Sequence, residues 1–256
     1  TLSPTTVSFA SLGDTATLTA TVKDANDSTM LGATVTWTTS AASVATVSSA
    51  GLVTAVADGT TTITATSGAL EATAAVTVAQ AAVSMELSDT VLTFASLADT
   101  KQLTATVKDA NDSTMVGATV TWSTSDTTVA TVSTAGLVTS VADGTATITA
   151  TSGSLTATAS VTVSQVASTV TVSPSTKTFT TIEDTVTLSV TVKDAGGTEM
   201  SGATVTWASS DTTVATVSSA GLVTSVGNGT ATVTATSGSA SGTAEITVNH
   251  VGPTLD

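Results

Sequence analysis

Acidic and amide side chains cluster at the turns of this sequence, where they could bind a divalent cation. Carboxylate and amide oxygens suit Ca²⁺, which takes several oxygen ligands and tolerates loose geometry. The candidate ligands form two groups. The first is Asp14 and Asp58 with Asp109, Asn111 and Asp112, and the second is Asp99, Asp126 and Asp143 with Asp194 and Glu199.

Solvated turn residues are the alternative interpretation of both groups. No stretch has the D-x-D-x-D-G spacing of a contiguous calcium loop. Asp and Asn are also common at turns because their side chains bond to nearby backbone groups. Calcium is the one cofactor that the sequence suggests.

Catalysis has little support in the residues. The chain has no Cys and a single His, His250, in an aperiodic C-terminal tail. A thiol nucleophile, a Ser–His pair within the repeats and a zinc cluster of His and Cys therefore have no candidates. We interpret the chain as non-enzymatic.

Charge excludes several further classes of partner. The 256 residues include 5 Lys and Arg against 19 Asp and Glu, which gives a net charge of −14. Nucleic-acid binding requires a basic surface, and attraction to an anionic membrane requires the same. No run of about 20 apolar residues could span a bilayer. The chain opens at Thr1 without an initiating Met, which predicts a processed chain or a segment of a longer one.

An internal repeat organises the sequence. Trp37, Trp122 and Trp207 stand 85 residues apart, and two glycines recur with the same spacing, the first of them as Gly51, Gly136 and Gly221 and the second as Gly59, Gly144 and Gly229. Repetition at a fixed period indicates tandem copies of one structural unit. We predict three domains, at 1–79, 80–164 and 165–249, followed by a tail at 250–256.

Each repeat has the pattern of a β-sandwich. Short stretches of alternating apolar and polar residues, rich in Val and Thr and separated by turn signals, predict seven strands per repeat. In the first repeat they lie at 2–9, 15–22, 33–38, 44–47, 52–56, 60–66 and 70–78. The phase of the third strand places Trp37 in the core. The linkers at 79–82 and 164–167 lack Gly and Pro, so we expect an elongated rod on the order of 100 Å long.

This arrangement of strands decides where the acidic turns lie. Alternate loops of a sandwich lie at opposite ends, here called the leading end, where the chain enters a repeat, and the trailing end, where it leaves. The trailing-end loops of one repeat should face the leading-end loops of the next. Each of the two acidic groups is therefore expected to converge between successive repeats.

The motifs VTW, S-D-x-x-V-A-T-V and G-L-V-T-x-V-x-x-G-T-A-T-I-T-A-T resemble the bacterial immunoglobulin-like group 2 family (BIG2). The resemblance covers all three repeats, although Ala41-Ala42-Ser43 departs from the Asp-Thr-Thr of the other two. It implies an all-β chain of three tandem immunoglobulin-like β-sandwiches. It also implies a spacer or presenting module of bacterial surface proteins, adhesins or phage virion proteins.

The function expected from this resemblance is a non-enzymatic stalk or fibre segment of an extracellular bacterial surface protein. Its partners would be a cell-surface glycan or protein, or further copies in a fibre, without nucleic acid and without direct membrane insertion. The alternative is a phage virion component, on a tail or capsid, that binds glycans weakly. A dedicated glycan-binding module would need exposed aromatic residues.

Overall fold

The computed structural model describes residues 1–252. The predicted tail at 250–256 lies within this range only at its first three residues, and positions 253–256 lie outside the described residues. All helix or strand structure between residues 1 and 252 is β-strand. Within that range there is also no helix with the length and hydropathy to cross a membrane.

Nine strands recur in each repeat. The first repeat contains β1 (Leu2–Ser3), β2 (Thr6–Phe9), β3 (Thr15–Thr17), β4 (Thr19–Ala20), β5 (Thr36–Thr39), β6 (Ala45–Val47), β7 (Leu52–Ala55), β8 (Gly59–Ser67) and β9 (Leu70–Val78). The second contains β10 (Ser84–Leu87), β11 (Val91–Phe94), β12 (Thr100–Gln102), β13 (Ala105–Lys108), β14 (Thr121–Thr124), β15 (Ala130–Val132), β16 (Leu137–Ser140), β17 (Gly144–Ser152) and β18 (Leu155–Val163). The third contains β19 (Thr169–Ser173), β20 (Thr176–Phe179), β21 (Thr185–Thr187), β22 (Ser189–Lys193), β23 (Thr206–Ser209), β24 (Ala215–Val217), β25 (Leu222–Ser225), β26 (Gly229–Ser237) and β27 (Ala240–Val248).

These strands belong to two compact units, and the second repeat contributes to both. Unit 1 comprises Thr1–Ser88, Thr104–Trp122 and Thr149–Thr158. Unit 2 comprises Asp89–Leu103, Ser123–Ile148 and the chain from Ala159 onward.

In unit 1 the first repeat forms a four-stranded sheet in the order β2-β9-β8-β5 and a three-stranded sheet in the order β3-β7-β6. The two-stranded sheet β1-β4 completes the first repeat. β2 runs parallel to β9, whereas the other pairs are antiparallel. In unit 2 the third repeat has the same topology, with sheets β20-β27-β26-β23, β21-β25-β24 and β19-β22. The predicted all-β fold of repeated immunoglobulin-like sandwiches is confirmed.

Two predicted strands of the first repeat divide in the structure. The stretch 2–9 forms β1 and β2, and the stretch 15–22 forms β3 and β4, because each changes its pairing partner midway. Pro4, which has no N–H to donate, lies between β1 and β2. Leu18 lies between β3 and β4, where its N–H bonds to the carbonyl oxygen of Gly51 at 2.8 Å. The strand expected at 33–38 is Thr36–Thr39.

The cores consist of small aliphatic side chains with one Trp at the side. In the first repeat Leu18, Val53 and Ile63 are fully buried, and half-buried Trp37 packs against them. In the third, Leu188, Val223 and Val233 hold the corresponding places and Trp207 packs against their cluster. These Trp residues pack against the core as predicted, but they are half-buried rather than enclosed.

A glycine allows the backbone to approach the Trp ring. Gly221 has a φ of 77°, which L side chains rarely adopt. A Cβ atom there would lie 2.8 Å from the carbonyl oxygen of Leu188 and 3.0 Å from Cζ2 of Trp207. Gly238, at a φ of 58°, has no atom within 4 Å of such a Cβ. A side chain at Gly221 would therefore meet both backbone strain and steric contact, whereas one at Gly238 would meet strain alone.

Replacing Gly221 by Ala is expected to lower the unfolding free energy of the third repeat by about 2–4 kcal/mol, since strain and overpacking add. Gly238→Ala should cost only about 1–2 kcal/mol, from strain alone. Urea unfolding followed by Trp207 fluorescence, with Trp37→Phe and Trp122→Phe in both proteins, measures the difference. Equal costs would show that the contact with the ring is unimportant.

Candidate functional site

The loop after β13 is shaped by one carboxylate oxygen. Oδ1 of Asp109 accepts hydrogen bonds from the backbone N–H groups of Asn111 at 3.0 Å and Ser113 at 2.9 Å. Such side chain to backbone bonds are characteristic of Asp at turns. They fix the carboxylate so that its second oxygen, Oδ2, points away from the loop's own backbone.

That second oxygen contacts the preceding repeat. Oδ2 of Asp109 accepts a hydrogen bond from the backbone N–H of Leu12, 97 residues earlier, at 2.9 Å. It accepts another from Nε2 of Gln80, in the linker, also at 2.9 Å. The backbone N–H of Gln80 in turn donates to Oδ1 of Asp58 at 2.8 Å. We call this set of contacts, which lies within unit 1, junction 1.

Asn111 adds two bonds to junction 1. Its Nδ2 donates to the carbonyl oxygen of Leu12 at 2.9 Å and to Oδ1 of Asp14 at 2.8 Å. The other oxygen of Asp14 accepts the N–H of Ser11 at 3.2 Å. The trailing-end loop of the first repeat is thus bonded to the leading-end loop of the second, and Asp109 retains only 2% of its accessible surface.

Junction 2, within unit 2, repeats the central features. Oδ2 of Asp194 accepts the N–H of Leu97 at 3.0 Å and Nε2 of Gln165 at 2.9 Å. The N–H of Gln165 donates to Oδ1 of Asp143 at 2.7 Å. Gly196 replaces the asparagine of junction 1, and its N–H donates to Oγ of Ser96 at 3.3 Å. The two junctions therefore share an aspartate, a linker glutamine and a trailing-end backbone N–H.

These bonds change the titration of the two central aspartates. Burial raises the pKa of Asp109, but hydrogen bonds from Gln80 and from backbone N–H groups outweigh it and leave the pKa below its ordinary value. The hydrogen bond from Gln165 is the main cause that lowers the pKa of Asp194, and burial opposes it only in part. Both carboxylates are therefore ionised at neutral pH and act as charged acceptors.

The structure brings together only part of the predicted calcium ligands. Asp14, Asp58, Asp109 and Asn111 meet in junction 1, and Asp143 and Asp194 share Gln165 in junction 2. The remaining four have no junction bond from their side chains: Asp112 pairs with Lys108 at 3.0 Å, Asp126 bonds within its own loop to Thr128 at 2.6 Å, and no side-chain bond joins Asp99 or Glu199 to Asp194.

The junction oxygens already accept N–H hydrogen bonds, which a cation would have to displace. Within residues 1–252, no three His, Cys, Asp or Glu side chains are grouped so that they could hold a metal ion. Calcium binding at the junctions stays a prediction of the sequence.

Gln80 and Gln165 are functional residues that the sequence analysis missed. Each stands in a linker whose composition predicts only a short connection. The available signal was their recurrence at the period of 85 residues, with His250 at the third position. A polar linker residue that recurs at the period of the repeats has a specific hydrogen-bonding role here.

Asp109→Asn should weaken junction 1, because an amide has one acceptor oxygen for two sets of N–H donors. We expect hydrogen exchange of the Leu12 amide to accelerate about tenfold or more. Asp112→Asn is the matched control, since Asp112 stands in the same loop but pairs with Lys108. Unchanged Leu12 protection in Asp109→Asn would contradict the role of this carboxylate.

The lowered pKa values of Asp109 and Asp194 predict acid sensitivity. A carboxyl group whose pKa is lower in the folded state stabilises that state above its unfolded pKa of about 3.9, and the contribution is lost as pH falls through the folded value. Unfolding measured between pH 7 and pH 2 should therefore show a steeper loss below about pH 4 in the native chain than in Asp109→Asn with Asp194→Asn. Parallel curves would contradict the assignment.

Comparison with known proteins identifies the domains that the junctions connect. The family model of the bacterial Ig-like domain (group 2) matches the chain three times in tandem, at residues 1–78, 81–163 and 166–248. Ice-binding protein 1 of Shewanella frigidimarina (strain NCIMB 400) is 34% identical over 214 residues, which cover 83% of this chain and 24% of that protein. The chain thus spans about a quarter of this curated relative.

Matches to solved structures have low sequence identity. Invasin, a bacterial integrin-binding protein, matches with a TM-score of 0.50 at 19% identity over 98% of this chain and 60% of that chain. The Escherichia coli adhesin FdeC matches with a TM-score of 0.42 at 21% identity, over 98% of this chain and 96% of that chain. Since the matches to the family model cover nearly every residue from 1 to 248, the chain belongs to the bacterial Ig-like domain (group 2) family.

Proposed function

We propose that the chain is a non-enzymatic spacer segment of an extracellular bacterial surface protein. The observation that carries this proposal is that both junctions are built on the same plan. In each, a buried aspartate receives N–H donors from the preceding repeat and from the linker. A linker bonded on both sides has less freedom than a flexible Gly/Ser connection.

The surfaces of the repeats favour spacing over ligand capture. The three Phe residues, Phe9, Phe94 and Phe179, are buried. The three Trp residues are half-buried. Glycan-binding sites usually present aromatic faces to solvent. The partner of the whole surface protein would be a glycan or a protein on another cell. We therefore propose that this partner binds elsewhere than at these aromatic residues.

Composition supports an extracellular position. The chain has no Cys, so an oxidising exterior cannot alter it through thiols, and its net charge of −14 favours solubility. Membership of the bacterial Ig-like family is consistent with a structural or adhesive role. The alternative role in a phage virion stays a prediction of the sequence.

Small-angle X-ray scattering tests the proposal. A spacer of three repeats should reach a maximum dimension on the order of 100 Å. A single globule of this length would have a radius of gyration of only ~18 Å. Asp109→Asn with Asp194→Asn should broaden the distribution of lengths, whereas Asp112→Asn should not. A compact particle, or equal flexibility in all variants, would refute the spacer role.

The same scattering measurements, made with Ca²⁺ and with EDTA, test the calcium prediction.

A further inference from the structure

In each repeat the second strand lies beside the ninth. β2 pairs with β9, β11 with β18 and β20 with β27, and these three pairs are parallel. The neighbouring hairpins β8-β9 and β26-β27 are antiparallel. Because parallel strands start at the same end, the chain enters such a pair at one end and leaves it at the other. Tension along the chain therefore pulls the two strands past each other.

Backbone bonds mark both ends of this pair in the third repeat, in unit 2. The N–H of Glu245 donates to the carbonyl oxygen of Ser175 at 2.9 Å, and the N–H of Asn249 donates to that of Phe179 at 2.8 Å. β20 lies between these two bonds, at Thr176–Phe179. The bonds thus extend over the whole length of β20. We call each parallel pair, with the backbone bonds that join it, the clamp of its repeat.

The register shows which residues of β20 bond to β27. A parallel strand bonds to its neighbour through alternate residues. Ser175 and Phe179 both accept bonds from β27 or the residue that follows it. Lys177 lies midway between them, opposite Ile246, so its backbone also bonds to β27. The N–H of Thr178 points the other way and lies on an open edge, because β20 is the outermost strand of its sheet.

Buried side chains close the core side of the clamps. Phe179 on β20 and Ile246 and Val248 on β27 are at most 3% exposed. In the first repeat, in unit 1, Phe9 and Val76 are buried in the same way. Water competes with backbone bonds for their donors and acceptors. Its exclusion from the core side makes a stretched bond harder to replace.

The bonds of the clamp continue into the linker. In the first repeat the N–H of Ala79 donates to the carbonyl oxygen of Phe9 at 2.9 Å, and that of Ala81 to the carbonyl oxygen of Ala10 at 2.8 Å. Gln80, which bonds to Asp109 in junction 1, stands between these two donors. The second repeat has the same two linker bonds, from Ser164 to Phe94 at 3.0 Å and from Val166 to Ala95 at 2.9 Å. Tension on a linker thus acts directly on the clamp.

β19 is the first strand of the third repeat to receive tension from the preceding linker. It forms five residue pairs with β22, in the other sheet, and four pairs join β20 to β27. Both strands are pulled along their own length. Once β19 is released the load passes to β20, and further extension requires the clamp to break.

We propose that the repeats bear mechanical load and that the clamp is the element that resists it. A pull along the two strands stretches the bonds of the clamp together, whereas a pull across the sheet opens them one at a time. Forced unfolding is governed by the rate of unfolding rather than by the equilibrium free energy. The inference rests on the proposed function, because a spacer between an anchor and a bound partner transmits the force between them.

The direction of pull can be chosen, because the native chain has no Cys. Two full-length variants share one exposed attachment point, Thr176→Cys on β20. The second point is Asn249→Cys, after β27, for a pull along the clamp, or Ala208→Cys, on β23 and nearly level with Thr176 in the register, for a pull across the sheet. In optical tweezers, released lengths of about 250 Å and about 100 Å identify the opening of the third repeat. We expect the unfolding force along the clamp to be at least about twice that across the sheet.

Two proline variants test the clamp bonds themselves, in the chain pulled along the clamp. Lys177→Pro removes an N–H that bonds to β27 and should lower the unfolding force by roughly a quarter or more. Thr178→Pro is the matched control, since proline is tolerated on an open edge, and it should leave the force unchanged. Lys177→Ala keeps the N–H and controls for the side chain, which lies 5.3 Å from the centre of the Phe179 ring. Circular dichroism confirms that each variant folds.

Equal forces in the two directions of pull would overturn the proposal. An equal effect of Lys177→Pro and Thr178→Pro would overturn it as well. If Lys177→Pro does not fold, the comparison of the two directions still decides, because it leaves the clamp intact. The scattering measurement is made without force, so failure of the load-bearing role and failure of the spacer role are distinguishable.

Discussion

The carboxylate of Asp109 uses its two oxygens for two different tasks, and the junction depends on this division. One oxygen binds backbone N–H groups of its own loop, and the other binds a backbone N–H of the preceding repeat and a linker amide. A buried carboxylate is costly unless its oxygens are satisfied. Because the loop supplies half of the donors beforehand, only the correct placement of the neighbouring repeat and linker supplies the rest.

This arrangement explains how an acidic chain can connect its parts without cationic side chains. The junction donors are amide groups, whereas the ion pairs of Lys23, Lys101 and Lys108 form with other acidic residues. Exposed pairs of this kind contribute little to stability. Hydrogen bonds from neutral donors to a carboxylate are stronger and directional, so they define orientation as well as attraction. The negative charge of the junction is thereby compatible with close contact.

The sequence predicted the fold and the faces that meet, but only part of the bonding. The period of 85 residues, the Trp positions and the turn glycines were sufficient for three sandwiches, and alternation of loops correctly placed Asp14 near Asn111. The division of the first two strands depended on which sheet each half joins, a tertiary choice that local alternation does not contain. The bond between Leu12 and Asp109 joins a backbone N–H to a residue 97 positions away, and no residue type at position 12 signals it.

The differences between the junctions show which of their parts are replaceable. Asn111 contributes two bonds in junction 1, whereas Gly196 in junction 2 brings the backbone so close that a Cβ would lie 3.3 Å from the carbonyl oxygen of Leu97. The two side-chain bonds are therefore replaced by a close approach of the backbone and a bond from the N–H of Gly196 to Oγ of Ser96, while the aspartate and the trailing-end N–H are the same in both. Since the cores lie away from these loops, the bonding of a junction can change without repacking a sandwich. The residues that form the sandwich core and the residues that form the junction are thus separate sets, and the junction depends on the smaller set.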